Sequence, residues 1–477
     1  MNKAKIMGYA LGPLGAAALG FISLPLLTWF YPVEDIGKIS MLMLVMNFGI
    51  LTFCFGLDQA YIREYHEVSS KPALLRLVAF PSVIAVCFFA LLLLGTDPSY
   101  ISAALYGNDS NYLAFLTVLC VVAALFSRYL SLILRMQERA IEYSLSQLLP
   151  KLIFLLCVVY VILSELPKNY DSLITAQFAS IFAVLIVLLW STRRELYFSF
   201  TDEPSELKLV TLFNFGFPLM LGGFAAFGLQ VMDKVFLRTM SNFDELGVYS
   251  VTVSIAAVAS IFASIFNLIW SPMVYKWTSE GNLDFGVVDN ISEHLLAAVF
   301  FVMALAGTFS FVLPYFLPSE YVAIQSLITT CLIAPLFYTL SETTAIGITL
   351  NRKTHLAMWA SLLALSVNAC GNYLLVDGLG AQGAAISTAL AFAVFYVVRT
   401  EFSRQVWRNM PTLKTYTIMC LLLVTSILHC IYWQQSLVGN IVWSILLLLG
   451  IFLFNNSVVL VLNMLKQLTC NFYYKNR

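Results

Sequence analysis

Fourteen stretches of about twenty apolar residues follow one another along this chain, with the charges gathered in short islands between them. Their limits are 6–30, 36–57, 74–95, 112–134, 143–164, 172–192, 209–230, 246–270, 293–317, 322–350, 356–376, 381–400, 413–433 and 438–464. A helix needs about 20 apolar residues to cross the hydrocarbon of a bilayer, so each stretch reads as a membrane span. In hydrocarbon every backbone N–H and C=O must find a partner inside the protein, which leaves helices and closed barrels. Barrel strands alternate apolar and polar residues, and these stretches do not. Only 11% of the residues are charged, against about 25% in a soluble domain. The expected fold is an all-α polytopic membrane protein of about 14 transmembrane helices.

The loop charges set an orientation. Lys38, Lys168, Lys234 and Arg238 lie on the side opposite the termini, and Arg128 and Lys151 lie within spans, which leaves 20 of the 26 Lys and Arg on the terminal side. Basic residues gather in cytoplasmic loops, so both termini are expected in the cytoplasm. The longest outer loops, 96–111 and 231–245, have about 16 residues, too few for a folded domain. The net charge of zero gives no general attraction to nucleic acid. None of the nine cysteines forms a CxxC pair, and all but Cys470 lie in or beside apolar runs. They read as small helix residues, so no disulfide framework and no metal site is expected. The N-terminal apolar run is too long for a signal peptide and reads as the first helix.

A weak repeat runs through the chain. YPVEDIGKIS (31–40) corresponds to SNFDELGVYS (241–250) at an offset of 210, which pairs Gly37 with Gly247 and Ser40 with Ser250. The same offset pairs Gly12 with Gly222 and Tyr65 with Tyr275. This divides the chain into six-helix halves at 1–208 and 209–404, related by a pseudo-two-fold axis along the membrane normal, with two further helices in 405–477. Repeated halves around a midplane cavity are a transporter architecture, and rocking of the halves gives alternating access.

Two segments carry a resemblance. LQVMDKVFLRTMSNFDELGVYSVTVSIA (229–256) resembles the helix 7 to helix 8 signature of bacterial polysaccharide flippases, with Asp233 and Lys234, then Gly247, Tyr249 and Ser250, at the signature positions. NRKTHLAMWASLLALSVNACGNYLLVDGLGAQGAAIST (351–388) resembles their helix 11 to 12 signature through Asn368, Asn372, Gly380, Gly383, Ala384, Ala385 and Thr388. The family usually has a proline shortly before the first of these glycines, where this chain reads VDGLG, and Lys234 stands where arginine is commoner. With PVEDIG near the start, the resemblance to Wzx-type flippases of the MOP exporter superfamily spans nearly the whole chain. It implies a substrate, an undecaprenyl-pyrophosphate-linked oligosaccharide, turned from the cytoplasmic to the periplasmic leaflet of a bacterial inner membrane. It also implies an O-antigen or similar lipopolysaccharide pathway, with other polysaccharide-assembly membrane proteins as partners.

The charges inside spans are the candidate site. Arg128 lies in span four, and a guanidinium can grip two phosphate oxygens at once. Either it meets the pyrophosphate or it snorkels or pairs structurally. Glu342 in span ten sits at a similar depth, since the offset takes 128 to 338. It is expected either to close on Arg128 when substrate is absent, to carry a coupling proton, or to form a fixed pair. Lys151, just after Pro150 at the start of span five, is the second candidate phosphate contact, with snorkelling as the alternative. Asp58, at the end of span two, is either a gating or coupling carboxylate or simply interfacial. Asp233 and Lys234 either pin an outer gate or sit at a solvated helix end. Asn368 and Asn372 either meet sugar hydroxyls or bond between helices.

No GxxxxGK[ST] loop is present, so no nucleotide cofactor is expected and an ion gradient or product removal would drive transport. A multidrug or cation antiporter of the same superfamily should line its cavity with carboxylates instead. A glycan polymerase or ligase would need a larger outer loop. The chain is not expected to be an enzyme.

Overall fold

Every expected span falls at least in part on a helix in the computed structural model, which describes residues 3–463 except 66, 96, 203–206, 262–265, 267–269, 271–272, 275–276, 279, 283, 352, 435 and 461, so that parts of the spans 246–270 and 438–464 lie outside the described residues. The first six spans are α1 (Lys3–Phe30), α2 (Val33–Phe53), α4 (Lys71–Gly95), α6 (Asn111–Met136), α7 (Ala140–Leu163) and α8 (Tyr170–Ser191). Between them lie three short helices that apolar length could not reveal: α3 (Leu57–Glu64), α5 (Ser99–Tyr106) and α9 (Arg193–Thr201). The remainder comprises α10 (Leu209–Met240), α11 (Phe243–Ala256), α12 (Phe285–Thr308), α13 (Ile324–Leu350), α14 (Thr354–Val406), α15 (Leu413–Tyr432) and α16 (Leu437–Leu453). Among the described residues, eleven helices are long and apolar enough to span a membrane and two more, Leu14–Phe30 and Leu437–Leu453, are shorter. The fourteenth is hidden in α14, which is continuous by hydrogen bonding but turns at Gly380, where φ is 52° and ψ is −129°. Only glycine adopts such a backbone readily, so α14 is two antiparallel spans.

The repeat offset is visible in the helix ends. It takes the end of α1 at Phe30 to the end of α10 at Met240, and the start of α2 at Val33 to the start of α11 at Phe243. The contacts divide the chain differently, into two compact units at 1–250 and 251–477, because α10 packs along α2 and α3.

Within residues 1–250, α6 is the central helix, packed by α2, α4, α5, α7 and α8. Ser110 caps it by accepting from the Leu113 N–H. Its apolar face enters two cores, one around Leu125, Tyr129 and Leu132, the other around Leu116, Cys120 and Ala123. Within residues 251–477 the central helix is α13, buried over most of its length and flanked by α12, α14 and α15. Thus the fourth helix of each half is the one most enclosed by protein. These two helices carry Arg128 and Glu342.

Candidate functional site

A break in the chain builds the site in the first unit. α2 ends at Phe53, and Phe55 (φ 50°) and Gly56 (φ 71°) turn the backbone through the left-handed region. α3 restarts at Leu57, which puts Asp58 in its first turn, where free N–H groups favour a carboxylate. Gly56 is required there twice over. A Cβ on it would lie 2.0 Å from the Gly216 carbonyl oxygen of α10.

Asp58 receives Arg128. Arg128 Nη2 donates to Asp58 Oδ2 at 2.7 Å and Nε donates to the same oxygen at 3.3 Å. Gln59 Nε2 adds a third donor at 3.0 Å. The carboxylate is largely buried while about a third of the Arg128 side chain stays exposed. Arg128 Nη1 has no hydrogen bond among the described residues. Arg128 precedes the end of α6 at Met136 by eight residues, about 12 Å along the axis. A guanidinium held by one edge, with its other edge open, has the geometry to accept an anion.

Asp58 is therefore buried and paired, which its place after an apolar run does not reveal. It lies in the core with Cys54, Leu57 and Tyr61 around it. Lys151 is also displaced from its expected place. α7 runs unbroken through Pro150 from Ala140 to Leu163, so Lys151 sits at mid-helix rather than at a helix start. It is exposed from the protein's own packing and has no ion pair or hydrogen bond among the described residues. An ammonium at that depth needs water or an anion beside it.

Glu342 has a partner within its own unit. Arg399 Nη1 donates to Glu342 Oε1 at 2.6 Å and to Ser341 Oγ at 2.8 Å. The guanidinium lies 5.2 Å from the centroid of the Phe395 ring, and Trp270 Nε1 donates to the Glu342 carbonyl. Arg399, counted above among loop charges, is inside α14. Its partner lies 57 residues away in sequence, on α13, which no local pattern signals. Each central helix thus holds one arginine–carboxylate pair within its own unit.

The remaining candidates are buried or half-buried. Asp233 is buried on α10 and accepts the hydroxyl of Tyr249, so it is not at a solvated helix end. Lys234 beside it is half-buried. Asn368 and Asn372 are fully buried. Asn368 Nδ2 donates to Thr388 Oγ1 at 3.0 Å, and Asn372 Nδ2 donates to Asn368 Oδ1 at 3.1 Å. Gly383 lets the turn close, since a Cβ there would meet the Leu375 carbonyl oxygen at 2.4 Å. The 351–388 signature includes the packing of two antiparallel helices, with Asn368 bonding across to Thr388 and Asn372 bonding to Asn368 on its own helix. A buried bond of this kind contributes about 0.6–1.7 kcal/mol. Asn368→Ala is accordingly expected to lower the melting temperature in detergent by about 1–2 °C while leaving transport intact.

A family model described as polysaccharide biosynthesis protein matches residues 3–277, more than half of the chain. The chain belongs to that family. No curated protein is similar enough in sequence to count as a relative. Among solved structures the fold is similar to the lipid II flippase MurJ in an inward closed conformation, with a TM-score of 0.68 at 12% identity, covering 94% of this chain and 99% of that one. It is also similar to a Vibrio cholerae MATE transporter, VcmN, with a TM-score of 0.56 at 12% identity over 84% and 96% of the two chains. An inward-facing multidrug resistance MATE transporter of the MOP superfamily gives a TM-score of 0.55 at 15% identity over 82% and 94%. This member of the polysaccharide biosynthesis family is therefore a multi-pass membrane protein with the fold of the MOP flippases and transporters.

Proposed function

We propose that the protein is a flippase for an undecaprenyl-pyrophosphate-linked oligosaccharide, an O-antigen or related surface-glycan repeat unit. It moves the head group from the cytoplasmic to the periplasmic leaflet of the inner membrane by alternating access, with both termini in the cytoplasm. Arg128 carries this reading. Its Nε and Nη2 are occupied by Asp58 and its Nη1 edge is free, so a pyrophosphate arriving at that edge can take up the guanidinium while Asp58 lets go. Asp58 then neutralises Arg128 again after release, and the site resets without a proton or a nucleotide. Lys151, bare at the centre of α7, gives the anion a second cation at greater depth.

The membrane carboxylates argue against a cation antiporter. Asp58 and Glu342 each already hold an arginine, and Asp233 holds the Tyr249 hydroxyl. A cation would have to displace these partners.

Lys151 offers a test that structural damage does not confound, because it has no described partner to lose. Lys151→Met should leave the amount of protein in the membrane unchanged and slow the flipping of lipid-linked oligosaccharide in reconstituted vesicles about ten-fold, or by about 1.4 kcal/mol of lost anion stabilisation. Lys151→Arg should retain most of the rate. Unchanged flipping in Lys151→Met would remove Lys151 from the path.

A further inference from the structure

The short helix α9 (Arg193–Thr201) follows α8 after a break at Thr192 and reads RRELYFSFT. Its two ends are tied to different helices. At one end Glu195 meets the corner between α6 and α7. Gln137 Nε2 donates to Glu195 Oε1 at 2.7 Å, and Arg139 Nη1 lies 4.0 Å from the same oxygen. Just past the other end, Asp202 meets the start of α4. Ser70 Oγ donates to Asp202 Oδ2 at 2.7 Å, and Arg76 Nη2 donates to the Asp202 carbonyl oxygen at 3.4 Å. By the order of the spans, the α6–α7 corner, the start of α4 and the end of α8 all lie on one face of the membrane. α9 is therefore strung across these helix ends, along the membrane surface rather than through it.

The helix has two unlike faces. Glu195, Leu196 and Ser199 turn toward the protein: Ser199 is buried, and Leu196 packs against the core around Tyr61, Leu74 and Leu188. Arg193, Arg194, Tyr197, Phe198 and Phe200 fall within an arc of about 160° on the other side, at about 100° per residue. All five are exposed, Tyr197 by 67% and Phe200 by 74%. Trp190, in the last turn of α8, joins them at 70%. The Arg193 guanidinium lies 4.3 Å from the Trp190 ring centroid and donates through Nη1 to the Trp190 carbonyl oxygen at 2.7 Å. Arg194 has no hydrogen bond or ion pair among the described residues. A surface helix facing water turns its apolar side inward. α9 does the reverse. Its outward arc holds three aromatics and two arginines, with no carboxylate among them.

We infer that the outward face of α9 is a binding site for anionic phospholipid. Arg193 and Arg194 take the phosphate head groups, and the rings of Trp190, Tyr197, Phe198 and Phe200 sit at the tops of the acyl chains. Place and composition select this occupant. The face continues without a break from the last turn of a membrane span, where Ile186, Val187, Leu189 and Trp190 are exposed, so it begins at the level where hydrocarbon gives way to head groups. Rings beside guanidinium groups match both sides of that boundary. Two positive charges with no acidic neighbour on the face favour a lipid of net negative charge over a zwitterionic one. In the orientation proposed above this is the cytoplasmic leaflet, whose anionic lipids attract basic segments. α10, the first span of the second repeat, begins at Leu209, so a bound lipid anchors the joint between the repeats to the bilayer surface. Neither the site nor its test depends on the flippase reading.

The test puts the photoreactive residue p-benzoylphenylalanine in place of Phe200 in the full-length chain, held in vesicles of equal parts phosphatidylglycerol and phosphatidylcholine. Irradiation should attach phospholipid, read as a gain in mass, with phosphatidylglycerol favoured about five-fold or more. Arg193→Gln with Arg194→Gln should bring the two lipids to near parity, and raised salt should act in the same direction. The same photoreactive residue in place of Phe182, exposed on α8 and nine residues before its end, should attach both lipids equally. Its unchanged labelling in the double variant shows that the fold is intact. No attachment at Phe200 would put the face in water and overturn the site. Attachment to a second copy of the chain would make it a protein interface instead. Equal attachment of the two lipids, or a preference that survives loss of both arginines or recurs at Phe182, would also overturn it. Flipping in the same vesicles judges the flippase reading separately: a chain that attaches phosphatidylglycerol at α9 but moves no lipid-linked oligosaccharide would sink that reading and leave this site standing.

Discussion

Arg128→Ala is expected to stop glycan export while the equally disruptive loss of its partner does not. Both changes break the same ion pair, and a charge left alone at a helix centre costs about 2.5–3.5 kcal/mol on insertion scales. Both should therefore lower membrane abundance to a similar, partial extent. Their transport should differ. Arg128→Ala removes the anion contact and should cut export per molecule by about 100-fold or more, or about 2.7 kcal/mol. Asp58→Asn leaves the guanidinium in place without its competitor, so substrate should bind tighter and turn over more slowly. The charge swap, Asp58→Arg with Arg128→Asp, separates structure from function. It restores a pair and with it abundance, but hangs the guanidinium from α3 instead of α6. Recovered abundance without recovered export is the expected result, and full recovery of both would reduce the pair to a structural tie.

Gly56→Ala is the second large effect. The new Cβ would meet a backbone oxygen, Gly216 O, at 2.0 Å, and backbone cannot rotate aside as a side chain can. The φ of 71° adds strain of about 1–3 kcal/mol for any residue but glycine. Relief requires α3 to shift against α10, and α3 carries Asp58. The variant should accumulate poorly and melt at least about 2 °C lower, which for a chain of this size corresponds to about 2 kcal/mol or more. What protein remains should export slowly, because Asp58 no longer sits on Arg128. Gly222→Ala is the control on the same helix, α10, since nothing lies within 4 Å of its would-be Cβ. It should behave as wild type.

How much of this was legible follows from the length scales involved. A span is a local property, readable from twenty consecutive residues, so the fourteen helices and the turn at Gly380 were within reach. The repeat was also legible, because Gly37 and Gly247 are fixed by close backbone approach and leave a mark in the sequence. Arg128 stood out as a charge in an apolar run. Its partner did not. Asp58 is 70 residues away, beyond an apolar stretch that ends in a turn, and such an aspartate reads as interfacial until the fold at Gly56 carries it inward. The same limit hid Arg399, whose nearness to a helix end made it look like a loop charge until Glu342 came beside it. Lys151 was misplaced because Pro150 reads as a helix start, whereas α7 continues through it. Asn368 and Asn372 carry a family pattern, but pattern alone does not separate a buried helix bond from a sugar contact.

The leaflet position of the lipid-linked oligosaccharide in cells lacking this chain tests the central claim most directly. Single repeat units should accumulate, shielded from a glycosidase or lectin supplied outside the inner membrane, and restoring the wild-type chain but not Arg128→Ala should bring them into reach. Single units exposed on the outer leaflet in the absence of the chain would contradict the account, because the head group would then have crossed without it.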